Sequence, residues 1–297
     1  MQIDITILGT SGSTPTKSRG MPSVAITYGG TVYLFDCGEG TQMQMLKYGI
    51  NISKISHIFI SHMHGDHIIG VIGLLRTMAL NNREHPLYIY VPSGYEKMMN
   101  DFINFDNAMI RYKIEIKGVK PGIIYKDKEI NIRAFRINHT VAAYGYVFAE
   151  NDSRRFIKEK CKRLGIKGEM FSELEKKGSI IINKRKVSIE SVTEPHHGKR
   201  IVYASDTRPA ASTITAAKGA ELLIHEATYS EAEGKLAYER KHSTASEAAL
   251  VAKKAKVKML VLTHISARYR NTVKLQKEAQ KIFSNTIVAK DGTAIRI

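Results

Sequence analysis

Short apolar stretches broken by turn formers set the rhythm of the chain. Residues 3–8 alternate apolar and polar positions and run into Gly9-Thr10-Ser11-Gly12-Ser13-Thr14-Pro15, the pattern of a strand followed by a loop of small residues. Residues 23–28 and 31–35 predict two more strands, and Gly29-Gly30 between them is a hairpin signal. Residues 41–48 have helical spacing and stop at Gly49. Ile58-Phe59-Ile60 then reads as the end of a buried strand, and apolar spacing resumes as a helix over 68–75. Further on, 87–91 predicts a strand, 95–102 a helix, and 130–137 a strand that ends at Asn138-His139-Thr140. Strands are expected again at 200–205, 221–224 and 258–262, with a strongly helical run at 245–256 behind the cap His242-Ser243-Thr244. No repeat of 20–50 residues interrupts this alternation.

Between the strand ending at Ile60 and the helix from Ile68 lies His62-Met63-His64-Gly65-Asp66-His67. Three imidazoles and a carboxylate within six residues at the end of a buried strand are ligands for Zn²⁺, Mn²⁺ or Fe, and their spacing aims some at one ion and the rest at a second. The later strands repeat the device. Asp206, His225-Glu226, His242 and His264 each fall near the end of a strand or segment, where open sheets with helices outside place their ligand sites. Collected, His62, His64, Asp66, His67, His139, Asp206 and His264 suffice for two sites that share one carboxylate. Two such metals bring the pKa of bound water towards ~7 and polarise a phosphoryl oxygen, so hydrolysis is expected rather than redox chemistry. Asp36 is placed to hold a metal-binding histidine from behind, and Glu226 to orient His242 as proton donor to a leaving oxygen. Cys37 reads as a small buried core residue.

Composition narrows the partner more than the fold. The 297 residues, 43% hydrophobic, are enough for one large α/β domain or two small ones, and exclude disordered and fibrous classes. Lys plus Arg is 45 against 28 Asp plus Glu, a formal charge of +17 that draws in polyanions, nucleic acid first. Residues 151–200 alone hold fourteen Lys/Arg and seven Asp/Glu, an excess of +7, and Gly165, Gly168 and Gly178 break their helical patches. A basic arm projecting from the core, at about 151–195, is the expectation. Two cysteines are too few for a disulfide framework, and MQIDITILGTSGSTPT shows neither a basic leader nor a signal-peptide core. No apolar run reaches the ~18–20 residues of a membrane span, so a soluble, cytoplasmic protein without membrane attachment is expected. A tryptophan stacking platform is excluded; the fourteen tyrosines remain available for stacking.

The segments LGTSGSTPT, FDCGEGTQ, SHMHGDH, NHTVAAYGY, SDTRP, HEAT, the HST at 242 and THISARY, in this order, resemble the metallo-β-lactamase fold and, within it, the short form of the ribonuclease Z family. The family consists of endoribonucleases that trim the 3′ trailer of precursor tRNA. The resemblance covers almost the whole chain. It implies a single domain over 1–297, an αββα sandwich of two mixed sheets flanked by helices, with the segment at about 151–195 inserted as an exosite arm for tRNA. It implies two Zn²⁺ per chain, Mn²⁺ or another divalent ion also fitting, with one held by His62, His64, His139 and Asp206 and the other by Asp66, His67, Asp206 and His264. Asp66 would help deprotonate the attacking water, and His242 with Glu226 resembles the family's proton-donating pair. Lys17 and Arg19 stand in a loop similar to the family's PxKxRN loop, with Gly20 in place of its asparagine. With Ser266, Arg268 and Tyr269 of the SARY segment, and Lys158, Lys162, Arg163 and Lys167 of the arm, they are the expected substrate contacts. Homodimers whose arms reach across to the partner's substrate are also implied.

The expected activity is cleavage of precursor tRNA after the discriminator base, leaving a 3′-hydroxyl. Two alternatives stand beside it. A small-substrate hydrolase of the same fold, acting on a phosphodiester, lactone or thioester, accounts for the metals but leaves the +17 charge and the arm without purpose. A binding module that has lost catalysis would bind tRNA tightly and be inert with every divalent ion.

Overall fold

The computed structural model describes residues 1–105 and 110–297. Two seven-stranded mixed sheets face one another. The first is ordered Thr293–Arg296, Ile3–Gly9, Ser23–Tyr28, Thr31–Phe35, Ile55–Phe59, Leu87–Pro92, Ile114–Val119, antiparallel as far as Thr31–Phe35 and parallel beyond it. The second mirrors that plan: Thr286–Val288, Met259–Thr263, Leu222–Glu226 and Arg200–Ala204 run parallel, then Tyr144–Glu150, Ile130–Arg136 and Gly122–Lys126 continue antiparallel. Parallel neighbours need crossovers, and the helices Gly70–Leu80, Glu96–Ile103, Ala211–Ala217 and Ala245–Ala255 supply them. The result is the αββα sandwich that the resemblance implied.

Alternation along the strands sorts the side chains into layers. Ile5, Phe35, Phe59, Tyr146, Tyr203 and Ile224 meet between the sheets, whereas Ile58 and Ile60 turn outward onto Leu74, Leu75 and Met78 of the helix Gly70–Leu80. On the opposite outer face Val202, Leu223 and Leu262 pack against Ala245, Ala248 and Ala252, small residues that let the helix Ala245–Ala255 lie close. Thr244 caps that helix: its hydroxyl accepts the Glu247 N–H while the Glu247 carboxylate accepts the Thr244 N–H. Gly29 and Gly30, with φ of 55° and 80°, close a two-residue turn between the paired Tyr28 and Thr31, a conformation a Cβ would strain.

Predicted elements recur within two residues at each end, except the helix expected over 68–75, which runs over Gly70–Leu80. Within the two large sheets, five strands gave no expectation: Ile114–Val119, Gly122–Lys126, Tyr144–Glu150, Thr286–Val288 and Thr293–Arg296. Four of them are sheet-edge strands with half-exposed faces that blur apolar alternation, and Tyr144–Glu150 carries a glycine that depresses strand propensity. The basic segment is a small folded unit rather than a bare extension. Ser153–Phe156 pairs with Thr193–His196 as a stem, and above it the helices Lys158–Leu164 and Glu169–Lys177 and the hairpin Ser179–Ile182/Arg185–Ser188 enclose their own core of Cys161, Ile166, Leu174, Ile180, Val187 and Val192. Gly165 and Gly178 end the two helices at φ 73°. No helix among the described residues is long and apolar enough to cross a membrane.

Candidate metal centre and active site

Strand ends deliver the polar residues to one edge of the sandwich. Asp36 follows the strand Thr31–Phe35 in a left-handed conformation, φ 56°, fully buried. Its carboxylate accepts from Ser61 N–H at 2.7 Å, Ser61 Oγ at 2.8 Å, Tyr203 OH at 2.7 Å and the His67 imidazole Nδ1 at 2.8 Å. These bonds satisfy the buried charge and fix the loop that holds His62 to His67. With Nδ1–H given to Asp36, His67 keeps Nε2 as a lone-pair donor, which is how a carboxylate behind a histidine prepares a ligand. His139 donates Nδ1–H to the Lys241 carbonyl at 3.2 Å, and His264 meets Thr228 Oγ1 through Nδ1 at 2.9 Å. Both therefore also present Nε2.

These donors converge on two groups. The ligand atoms of His62, His64, His139 and Asp206 lie within 4.8 Å of one another, and so do those of Asp66, His67, Asp206 and His264. Asp206 joins them. Its Oδ2 stands 3.8 Å from His62 Nε2 and 3.9 Å from His139 Nε2, and its Oδ1 stands 3.5 Å from His67 Nε2 and 3.1 Å from His264 Nε2. His67 Nε2, Asp206 Oδ1 and His264 Nε2 are buried without a hydrogen-bond partner, and His64 Nδ1 faces His62 Nε2 at 3.0 Å and His139 Nε2 at 3.3 Å. Buried lone pairs turned on one another in this way are stable around a cation, so the residues fit divalent metal ions. Burial holds the His62 imidazole well below its ordinary pKa, keeping it neutral for ligation. Burial of Asp66 and Asp206 opposes ionisation, yet His264 and His67 outweigh it and hold both carboxyls well below the usual range.

Beside the metal groups Glu226 is completely buried and fully bonded. Oε1 accepts from His242 Nδ1 at 2.8 Å and Thr207 N–H at 2.8 Å; Oε2 accepts from Thr228 N–H at 3.1 Å and Thr228 Oγ1 at 2.6 Å. Burial alone would lower the His242 pKa, but the charge and hydrogen bond of Glu226 push it up to about 9. His242 thus carries its proton at neutral pH, and it lines an open cavity of about 690 Å³ together with His64, Asp66 and Asp206. The Ser13 N–H reaches into the same cavity and donates to Asp66 Oδ2 at 3.1 Å.

The expected substrate residues scatter. Arg268 lines the cavity, its guanidinium 4.9 Å above the Tyr229 ring and its Nε donating to Ser266 Oγ at 3.2 Å. Tyr269 is committed elsewhere, donating to Glu233 at 2.6 Å and accepting the Ser230 N–H at 2.8 Å. Lys17 is exposed beside a hollow of about 350 Å³, whereas Arg19 turns inward to Thr10 Oγ1 at 2.6 Å and the Ala289 carbonyl at 2.8 Å. Arg19 is a brace of its loop, because its charge is spent inside the protein. Lys158, Lys162, Arg163 and Lys167 are exposed on the separate basic unit and are not brought to the metal groups. His225 points away from the site into the helical layer and donates Nδ1–H to the Glu226 carbonyl at 2.7 Å. Sequence reasoning missed Thr228, which touches Glu226, His242 and His264 at once, and Arg240, which lines the same cavity as Asp66 and Asp206. It also missed Arg208, whose guanidinium pairs with Glu247 and donates to the His242 carbonyl at 2.6 Å. The position of Arg240 two residues before His242 was the available signal.

Similarity to known proteins spans the segments that carry these residues. A family model described as "Anti-Pycsar protein Apyc1" matches residues 3–157, and one described as a beta-lactamase superfamily domain matches residues 175–265. Proteins named ribonuclease Z from Gemmatimonas aurantiaca and Archaeoglobus fulgidus are 41% and 40% identical, aligned over 100% of this chain and 96% and 98% of their own lengths. Among solved structures, the short form of human tRNase Z superposes with a TM-score of 0.72 at 26% identity, covering 98% of each chain. A long-form RNase Z from yeast has the same fold, with a TM-score of 0.72 at 20% identity over 99% of this chain and 42% of its own.

Proposed function

The chain belongs to the ribonuclease Z family, and from that premise we propose that it removes the 3′ trailer of precursor tRNA by a single cut after the discriminator base, leaving a 3′-hydroxyl. It is a metal-dependent endoribonuclease of the metallo-β-lactamase fold. The observation that carries the finer reading is Asp206 shared between two ligand groups, with the protonated His242 at their edge. In this reading two Zn²⁺ are held, one by His62, His64, His139 and Asp206, the other by Asp66, His67, Asp206 and His264. When bound, the ions acidify water and polarise the scissile phosphoryl group.

The chain's own side chains do the rest. Asp66, ionised and fixed by the Ser13 N–H, accepts the proton of the attacking water. His242, charged and aimed by Glu226, donates to the departing oxygen. Arg240 and Arg268 flank the cavity and neutralise phosphate on either side of the cut. Exposed Lys158, Lys162, Arg163 and Lys167 give the basic unit over 151–195 its role as a tRNA grip, and Lys17 adds a contact near the RNA end. The basic unit is a separately folded element outside the metal groups, which supports a homodimer in which one protomer's arm reaches RNA held by its partner; the place of action is the cytoplasm. Met43, Leu46 and Ile69, exposed apolar residues on neighbouring helical segments, are the surface such a pairing covers.

The test is a cleavage assay on a 5′-labelled precursor tRNA with a 3′ extension, with zinc or manganese added. One product ending at the discriminator base, absent with Asp66→Ala, is the expected result. An intact precursor alongside turnover of small esters would overturn the reading in favour of a small-substrate hydrolase.

A further inference from the structure

Away from the catalytic cleft, a hollow of about 1020 Å³ opens on the outer face of the second sheet. Phe135 and Val147 form its floor, on the strands Ile130–Arg136 and Tyr144–Glu150, and the helix Ala211–Ala217 forms one wall. A second hollow of about 470 Å³ shares Lys128, Glu150, Asn151, Asp152 and Gly198 with it and continues along the stem of the basic unit to Arg155. Together they make a groove that starts at the arm and runs up the strand whose continuation carries His139.

Charge in this groove is distributed unevenly between free and committed groups. Asp127 accepts the N–H groups of Glu129 and Ile130 at 2.8 Å and the Tyr125 hydroxyl at 2.8 Å. Glu150 accepts the Lys199 N–H at 3.1 Å and the N-terminal ammonium at 3.4 Å, and Asp152 accepts the Gly198 N–H at 3.0 Å and faces His197 at 3.5 Å. Glu129 is the acid left exposed without a partner among the described residues. Lys126, Lys128, Arg133 and Arg155 are exposed, and their side chains likewise have neither ion pair nor hydrogen bond among the described residues. Acids already bonded to the protein contribute little to an incoming anion, whereas unpaired cations contribute in full. The cations are spread over a strand, a turn and the stem instead of closing on one point, so they match an extended polyanion better than a lone phosphate.

We propose that this groove is a second RNA-binding site, which takes the phosphate backbone of the substrate well away from the cut; the identity of that RNA rests on the ribonuclease reading above. Contacts of this kind position the substrate and carry no sequence information, so they act on affinity and leave the chemical step alone.

The experiment compares the full-length protein with the triple variant Lys126→Ala, Lys128→Ala, Arg133→Ala. Binding of a fluorescently labelled 3′-extended tRNA is followed by anisotropy from about 50 to 300 mM salt, and turnover of bis(p-nitrophenyl) phosphate is measured alongside. The variant is expected to bind roughly ten-fold more weakly, with the slope of log Kd against log salt lower by about two to three, one charge per lost phosphate contact. Its turnover of the small phosphodiester is expected to match the parent, which reports an intact fold and metal centre. Equal Kd and equal salt slope in parent and variant would overturn the proposal. Binding requires no cleavage, so a protein that binds this RNA without cutting it sinks the ribonuclease reading while the groove is still judged on Kd.

Discussion

His242 shows how much chemistry one buried neighbour decides. An ordinary imidazole titrates near ~6.5 and would be mostly neutral at pH 7.5. Glu226 pushes His242 up to about 9, so the proton is present below that pH and is lost as pH rises through it. Turnover of precursor tRNA should therefore fall on the alkaline side around pH 9. His242→Ala is expected to lower kcat by roughly 10²–10⁴-fold with little change in KM. Glu226→Gln removes the charge that holds the proton, and the alkaline limb of the kcat profile should move down towards ~6.5. An unmoved limb in that variant would assign it to another group. His242 and Glu226 were both legible in the sequence as the expected proton-donating pair. The strength of their coupling was not, because it comes from the 2.8 Å hydrogen bond and the complete burial of Glu226, which only the folded chain brings about.

Loops and small units respond as elements. The loop over residues 10–20 is anchored by Asp291, whose carboxylate accepts from Thr10 Oγ1 at 2.6 Å, Gly20 N–H at 2.6 Å and Gln44 Nε2 at 2.5 Å. That loop also carries the Ser13 N–H that donates to Asp66. Asp291→Asn removes a charged acceptor and is expected to cost about 1–3 kcal/mol in stability, with kcat on precursor tRNA lowered several-fold. Urea unfolding and steady-state kinetics check the two halves of this statement; an unchanged kcat with lower stability would make Asp291 a fold residue only. The basic unit has a separate core, so Leu174→Ala should cost about 2–5 kcal/mol locally and raise amide exchange across residues 153–196 while the sandwich stays protected. KM for precursor tRNA should then rise, with turnover of a small phosphodiester unchanged. Exchange spread evenly over the chain would show that the unit is not independent. Gly165 and Gly178 marked its helix ends correctly from sequence. The core beneath them went unread because its six residues are dispersed over thirty-odd positions without one clear period.

At the scale of the whole molecule, the two ligand groups draw their side chains from both sheets. His62, Asp66 and His67 come from the first sheet, and His139, Asp206 and His264 from the second. Removing the ions with a chelator leaves Asp206 Oδ1, His67 Nε2 and His264 Nε2 buried and unsatisfied, so Tm should fall by several degrees together with loss of activity, and added zinc or manganese should restore both. A Tm insensitive to chelation would separate the fold from the ions. The sequence by itself determined the elements whose causes are local: the Gly29-Gly30 hairpin, the capped helix after Thr244, the ligands packed into the loop from His62 to His67, and the net charge that selects a polyanion. Contacts between neighbours in sequence leave periodic traces in sequence. Tertiary structure alone decided the edge strands, the inward turn of Arg19, the meeting of Thr228 with three site residues, and the groove of unpaired cations. Each depends on side chains brought together across strand pairings of long sequence separation, and such pairings leave no local trace.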